Sequence, residues 1–328
     1  MKSAAPKTIE DIAKDHWYYT VELAPDLMTE GSKFKNLAVT RRLLEAASVA
    51  GCRTLDIGTM EGVISTLLAR RGSKVLATDS IDLGAKVRTV QNSYGVDFEY
   101  VPNIPVDRYV DTVLGYQSSA RIAAGPTPLS YDTASPFGFD FIVSSGILHH
   151  VNNPVDHIAT CRKLLKRDGY LLLETPAILS DEISTTHDFV GDGHVWGGAA
   201  TWYVSTKFVE TYLKANYLEP VLFSYIHSGG NIDAPMCRIA VLAKAVDKPA
   251  FSEEEKSLLR KSELYISYDF KPLHYYARLC GVSTCAPTVG EVLPQGVNSA
   301  SKLNKHDILD KSPVDFDEQY LTLCLNDK

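Results

Sequence analysis

A chain of 328 residues, 45% hydrophobic and 22% charged, has the composition of an ordinary globular protein long enough to bury a full core. Thirty-three Lys and Arg against 40 Asp and Glu leave a formal charge of −7, which disfavours wide non-specific binding to nucleic acid. The mean hydropathy is −0.08, no apolar run nears the ~20 residues that span a bilayer, and MKSAAPKTIEDIAKDHW has acids where a signal peptide is apolar; a cytoplasmic protein with no membrane partner is expected.

Residues 1–34 are mixed: a short helical start from Thr8 to Lys14 and the aromatic cluster Trp17, Tyr18, Tyr19. Leu37, Val39, Leu43, Leu44 and Ala47 fit one face of a helix that Gly51 closes. Arg53–Ile57 is a short strand, followed by a helix with Val63, Ile64, Leu67 and Leu68 on one face, and Lys74–Thr78 is another strand that runs into Asp79. Phe98–Val101, Phe139–Ser144 and Tyr170–Glu174 are further strands, with a helix around Ile158, Cys161, Leu164 and Leu165 before the last. Phe208, Val209, Tyr212 and Leu213 mark another helix, and Val221–Ile226 and Arg238–Lys244 close the pattern without a helix between them.

This alternation predicts an α/β fold, a doubly wound and mostly parallel seven-stranded sheet with an antiparallel edge strand. It divides the chain into a lid segment at 1–36, a domain at 37–246 and a C-terminal extension at 247–328. Two stretches interrupt the domain. Residues 102–137 read as an insertion, and residues 177–204 as a long connection of the kind that often serves as a lid. Cys280 and Cys285 are the only closely spaced pair among six cysteines, so neither a disulfide framework nor a metal site is expected. Lys33, Lys35, Arg41 and Arg42 read as a solvated face, and Tyr320, Leu321 and Leu323 in the acidic tail suggest a surface for a second copy of the chain.

The segment Thr54-Leu55-Asp56-Ile57-Gly58-Thr59-Met60-Glu61-Gly62 joins the first strand to its helix. Glycines there let the backbone turn sharply and come close to a ligand at the helix's positive end. A pyrophosphate site would want G-x-G-x-x-G, but Met60 and the acid Asp56 replace that pattern; an acid repels phosphate and suits an ammonium group. Asp79, 23 residues on, stands where a carboxylate accepts both hydroxyls of a ribose. An amino acid joined to a nucleoside without phosphates meets both demands, which describes S-adenosylmethionine (SAM).

At this point the chain resembles the class I SAM-dependent methyltransferases. The D-I-G-T-M-E-G loop, Asp79, the run from Phe139 to Val151, Asn153-Pro154 and the stretch from Leu164 to Tyr170 match that superfamily's successive motifs over residues 37–246. Trp17-Tyr18-Tyr19 with Glu22-Leu23, Glu174-Thr175-Pro176 and Trp202-Tyr203-Val204 are similar to the branch that holds tRNA wobble-uridine carboxymethyltransferases and small-molecule methyltransferases of secondary metabolism. His149 stands where the tRNA enzyme has a tyrosine, which weighs against its carboxylated cofactor.

The resemblance implies that Asp56, Gly58 and Gly62 line the methionine side, with Thr59 and Met60 in the same loop. It places Asp79 at the ribose, Ser80 near the adenine, and Ser145 and Gly146 beside the sulfonium. The acid that often follows the third strand in such enzymes is missing from Val101-Pro102-Asn103. His149 and His150, after the fourth strand, and His194 in the 177–204 connection are candidate general bases, since a free imidazole titrates near 6.5. His187, Asp188 and Asp192 share that connection with His194 but give no fixed metal-binding face.

The expected activity is in-line transfer of the SAM methyl to a small-molecule acceptor, an oxygen first and nitrogen or carbon next, leaving S-adenosylhomocysteine. Modification of tRNA and a non-catalytic SAM-binding scaffold are the alternatives, and the acidic charge disfavours the first.

Overall fold

The computed structural model describes residues 8–104, 138–187, 202–228, 236–246, 282–283, 285, 288–300 and 318–327. The chain opens with α1 (Ile9–Ala13), whose capping box uses Thr8 and Asp11, followed by β1 (Thr20–Ala24) and β2 (Leu27–Met28). Next come α2 (Lys35–Ala46), β3 (Ala47–Ser48), β4 (Arg53–Ile57), α3 (Val63–Arg70), β5 (Lys74–Thr78), α4 (Gly84–Tyr94) and β6 (Glu99–Val101). The second half holds β7 (Phe139–Ser145), α5 (Pro154–Leu164), β8 (Leu165–Ile178), β9 (Thr185–His187), β10 (Trp202–Ser205), α6 (Thr206–Ala215), β11 (Leu218–Ser228) and β12 (Met236–Ala245). Short strands β13 (Thr288–Val289), β14 (Asn298–Ser299) and β15 (Thr322–Leu323) complete the series.

The central sheet runs β14-β11-β12-β8-β7-β4-β5-β6. Strands β4 to β8 pair in parallel, while β12 is antiparallel to both β8 and β11. The seven long strands of the doubly wound sheet are therefore present. An antiparallel strand stands at the edge, β14 beside β11, and β12 also runs against both its neighbours two places in.

Strand β7, Phe-Asp-Phe-Ile-Val-Ser-Ser, is buried at every position because both sheet faces are covered. From Phe141 to Val143 its side chains alternate between the two faces. Phe141 and Val143 join a cluster with Leu37, Leu43, Leu67 and Val87 from α2, α3 and α4, whereas Ile142 joins Ile158, Leu164, Phe208 and Leu213 from α5 and α6 on the opposite face. Full burial of each such side chain contributes about 1.5–3 kcal/mol before chain entropy is counted.

Helix starts follow local chemistry. The Asn153 side chain accepts from the amides of Val155 and Asp156 with Pro154 in the first turn, and the Ser205 hydroxyl accepts from Phe208.

Four features depart from the sequence expectations. Helix α4 carries only Gly84, Val87 and Val90 as buried positions, and periodicity passes over it. Both ends of the 177–204 connection are built, since β8 extends to Ile178 and β10 pairs in parallel with it and antiparallel with β9. The N-terminal segment holds the hairpin of β1 and β2, and β1 pairs in parallel with β15.

The fourth concerns the basic patch. Lys33 and Lys35 are exposed, but Arg41 and Arg42 are buried. Arg41 donates to the carbonyl of Thr322 and pairs with Asp327 at 3.2 Å; Arg42 donates to the carbonyl of Gln295 and lies over the Tyr320 ring at 4.1 Å. They hold down the C-terminal tail instead of facing solvent, because burying a guanidinium requires partners and the tail supplies them. Leu323 is buried within the same chain. Among the described residues no helix is long and apolar enough to cross a membrane.

Candidate active site

In the strand order β7-β4-β5 the connections leave in opposite directions on either side of β4, which opens a crevice at the carboxyl ends of β4 and β7 where open α/β sheets bind ligands. The Gly58–Gly62 turn forms one wall. Its backbone is left-handed at Gly58 (φ 71°), Met60 (φ 51°) and Gly62 (φ 84°). A Cβ at Gly58 would fall 2.1 Å from Cδ1 of Ile147, so the strand-to-helix turn and the segment after β7 touch through a missing side chain.

Asp56, one residue before the end of β4, has 1% of its surface exposed. Its Oδ2 accepts from the hydroxyls of Thr59 at 2.7 Å and Ser65 at 2.6 Å, while Oδ1 has no partner. Burial raises its pKa to about 6 against the pull of those hydroxyls. Asp79 accepts from the amide of Met60 at 2.9 Å through one oxygen and from that of Ile81 at 3.1 Å through the other. The carboxylate thus stitches the glycine turn to the end of β5. Ser80, beside it, is exposed.

Glu61 is also buried. Its Oε1 accepts from the amide of Tyr18 at 2.6 Å, Lys86 lies 3.7 Å away, and Oε2 is unpartnered. Lys86 in turn donates to the carbonyl of His16 and sits 5.2 Å from the Trp17 ring. The N-terminal aromatics therefore rest on the turn itself. Tyr18 stacks on Phe34 at 4.0 Å, and burial pushes its hydroxyl up to about 12, with Arg238, Glu174 and Glu61 all near enough to act on it.

The other wall is a polar cluster around Gly146. A Cβ there would lie 3.5 Å from Asn36 Nδ2, 3.7 Å from Arg238 and 4.0 Å from Glu174. Glu174 is fully buried and takes a bidentate pair from Arg238, at 2.7 Å to Nε and 2.8 Å to Nη2. Ser145 bonds Thr40 at 3.1 Å and Glu174 at 3.3 Å, and Asn36 donates to the Tyr19 hydroxyl at 2.8 Å, leaving its Oδ1 unpartnered. His149 is buried against His150, ring centroids 3.9 Å apart; burial, then His150 and Arg238, hold its pKa well below 6.5.

Asp56 Oδ1, Glu61 Oε2 and Asn36 Oδ1 are all acceptors, two of them on acids. A buried acceptor left unmet costs about 1–3 kcal/mol, so this crevice is chemically suited to a ligand that arrives with donors, as an ammonium and hydroxyls do. The residues thus fit SAM on donor–acceptor grounds.

Of the sequence candidates, the crevice brings together Asp56, Gly58, Thr59, Met60, Gly62, Asp79, Ser145, Gly146 and His149, with His150 against His149. His194, Asp188, Asp192 and Trp196 lie outside the described residues. Asn36, Glu61, Glu174 and Arg238 were not singled out as site residues; a glutamate inside the glycine turn and the acid of Glu174-Thr175-Pro176 were the available signals. Trp17 is core, donating its Nε1 to the Ile12 carbonyl.

Fold and crevice together define a class I SAM-dependent methyltransferase. A family model described as a methyltransferase domain matches residues 32–209, more than half of the chain, and the chain belongs to that family. It is similar to a ubiquinone biosynthesis O-methyltransferase of Xanthomonas oryzae, 32% identical over 127 residues that cover 39% of this chain and 44% of that protein. A protein of the same name from Vibrio cholerae is 25% identical over 169 residues, covering 52% and 58% of the two chains. The chain spans about half the length of the curated relatives it matches. Among solved structures, the 1,6-didemethyltoxoflavin-N1-methyltransferase of Burkholderia thailandensis aligns with a TM-score of 0.40 at 17% identity, over 67% of this chain and 80% of that one.

Proposed function

We propose that the protein transfers the SAM methyl to a hydroxyl of a small-molecule acceptor. The observation that carries the reading is the set of unpartnered buried acceptors around the Gly58–Gly62 turn, with Asp79 at the end of the adjacent strand. Asp56 would hold the ammonium, the Gly58–Gly62 backbone with Thr59 and Met60 would line the methionine chain, and Asp79 would take the ribose with Ser80 beside the adenine. Ser145 and Gly146 would flank the reacting centre.

SAM supplies an electrophilic methyl whose sulfonium leaves as a neutral thioether. The chain's part is to align the acceptor, exclude water and accept a proton. His149 is the base we favour over His150 and His194 because it follows β7, close enough to Arg238 to feel its charge; its lowered pKa keeps the imidazole neutral at pH 7 while weakening its hold on a proton. Residues 1–36 act as a cap, a reading supported by the Tyr18–Glu61 bond, over a transfer domain at 37–246, with 247–328 as an extension that braces the cap through the β1–β15 pairing. The names of the curated relatives favour an oxygen acceptor.

The test is incubation with methyl-labelled SAM and cell extract separated into small molecules, RNA and protein. Label in a small molecule whose methyl is lost under ether-cleaving conditions is the expected result. Label in RNA would replace the reading with tRNA modification, and SAM binding without label transfer would replace it with a non-catalytic role.

A further inference from the structure

Outside the crevice, at the opposite ends of the strands, two cysteines from segments 233 positions apart meet. Cys52 stands just before β4 and is buried; Cys285 belongs to the C-terminal extension and is half-buried. Their sulfurs are 2.7 Å apart. Cys52 Sγ also donates to the Cys285 carbonyl at 2.8 Å, and Cys285 Sγ to the Ala50 carbonyl at 3.1 Å.

The encounter does not depend on the sulfurs themselves. Ahead of Cys285, Ser283 donates its amide to Arg167 and its hydroxyl to Asp140, the carboxylate that also accepts from the Arg53 amide and from Lys166. Beyond it, β13 pairs with β3 and the Gly290 amide bonds the Ala46 carbonyl. Both flanks of Cys285 are thus tied to the same end of the sheet as Cys52, and the thiols are brought together by contacts that survive loss of either one.

We propose that Cys52 and Cys285 are a modification site, an intramolecular disulfide formed on exposure to a peroxide. Cys285 is the sulfur that solvent reaches. Its thiolate attacks the peroxide oxygen, giving a sulfenic acid and releasing water; Cys52 then attacks that sulfur, the S–S bond forms, and a second water leaves. Two thiols and one hydrogen peroxide yield one disulfide and two waters, with two electrons passing from sulfur to oxygen. The alternative use of paired thiols, a metal, finds no support: among the described residues no group of three or more His, Cys, Asp or Glu is placed to hold an ion.

The product would fasten the extension to the start of the strand that carries Asp56. A cross-link closing so long a loop restricts the unfolded chain strongly, and of the native contacts it gives up only the two S–H hydrogen bonds.

The experiment is peroxide treatment of the full-length folded protein, followed by alkylation in denaturant and tryptic mapping without reductant. Alkylatable thiols are expected to fall from six to four. The peptide from Leu43 to Arg53 should appear joined to that from Leu279 to Lys302, and a phosphine should separate them. Because the second peptide also holds Cys280, the variants decide the partner: Cys280→Ser keeps the link, whereas Cys52→Ser and Cys285→Ser each lose it. The oxidised protein should melt roughly 5–10 °C above identically treated Cys285→Ser. Separate alkylation of Cys52 and Cys285 after treatment, a link that persists in Cys285→Ser, or one that runs through Cys280 would each overturn the assignment. Equal melting midpoints would overturn the fastening role.

Discussion

Glu61 and Tyr18 are joined across 43 residues of sequence by a 2.6 Å bond from the tyrosine amide to a carboxylate inside the glycine turn. The bond ties the turn that lines the crevice to the segment proposed as its cap. Glu61→Ala removes that acceptor and leaves Lys86 without its carboxylate. It should raise the Kd for SAM several-fold and make the Trp17–Tyr19 segment cleavable by protease at low enzyme ratios. Glu61→Gln keeps an oxygen for the Tyr18 amide and should restore most of both properties. Equal SAM affinity in wild type and Glu61→Ala, by calorimetry, would show that the cap and the cofactor turn are independent.

Gly58 and Ile147 make a second prediction. Alanine at 58 must accept a left-handed backbone and a contact of 2.1 Å with the isoleucine, a combination expected to cost about 1–3 kcal/mol. Gly58→Ala should lower the melting midpoint and abolish SAM binding. Pairing it with Ile147→Ala removes the steric part but not the backbone part, so the double variant should recover some stability. The coupling energy from that cycle measures the contact directly. Strict additivity of the two changes would mean that the side chain moves aside freely.

Asp56 offers a pH test. Its pKa rises from 3.8 in the unfolded chain to about 6 in the folded one, so the folded state holds the proton more tightly. For this group folding is most favoured below pH 3.8, loses ground as pH climbs, and carries the full penalty above 6, about 3 kcal/mol. Asp56→Asn should therefore match or exceed the wild type in stability at pH 7.5, and the difference between the two should shrink as pH falls towards 4. The same change puts an amide donor where the unpartnered oxygen stood, and SAM affinity should drop at least tenfold. Urea titrations at pH 4.5, 6 and 7.5 check the first part; a gap that widens on acidification would refute it.

For His149 the sign is opposite. Its folded pKa lies below 6.5, so the imidazole stays neutral as the solution is acidified past the point where a free histidine would charge. The rate at saturating substrates should then show no half-loss at 6.5. His149→Asn should reduce kcat by about 10²–10⁴ with little change in SAM affinity. A drop of less than threefold would remove it from proton transfer.

The strands nearest the crevice were legible because their chemistry is local. β4 and β5 are short apolar runs followed by a turn or an acid, and their bounds agree residue for residue with Arg53–Ile57 and Lys74–Thr78. The same spacing puts Asp56, Gly58 and Asp79 side by side at the carboxyl ends of those strands. What stayed hidden depends on partners far away in sequence. Arg41 and Arg42 look like a solvated pair until residues 295, 320, 322 and 327 come to meet them. Arg238 lies in a strand whose apolar pattern was plain, yet its pairing with Glu174 across 64 positions leaves no local trace. Helix α4 escaped for a different reason: Gly-Ala-Lys-Val-Arg-Thr-Val-Gln-Asn-Ser-Tyr buries too few apolar side chains to print a stripe.

The pairing of Thr20 with Thr322 and of Val21 with Leu323 joins segments about 300 residues apart. At ordinary rates of protein synthesis, roughly 5–20 residues per second, that interval takes some 15 to 60 s. Through that time the nascent chain carries β1 with one edge unsatisfied, a strand available to chaperones or to a neighbouring chain. Closure of that edge is thus among the last events of biogenesis, and a chain stalled before residue 322 would emerge from the ribosome with it still open.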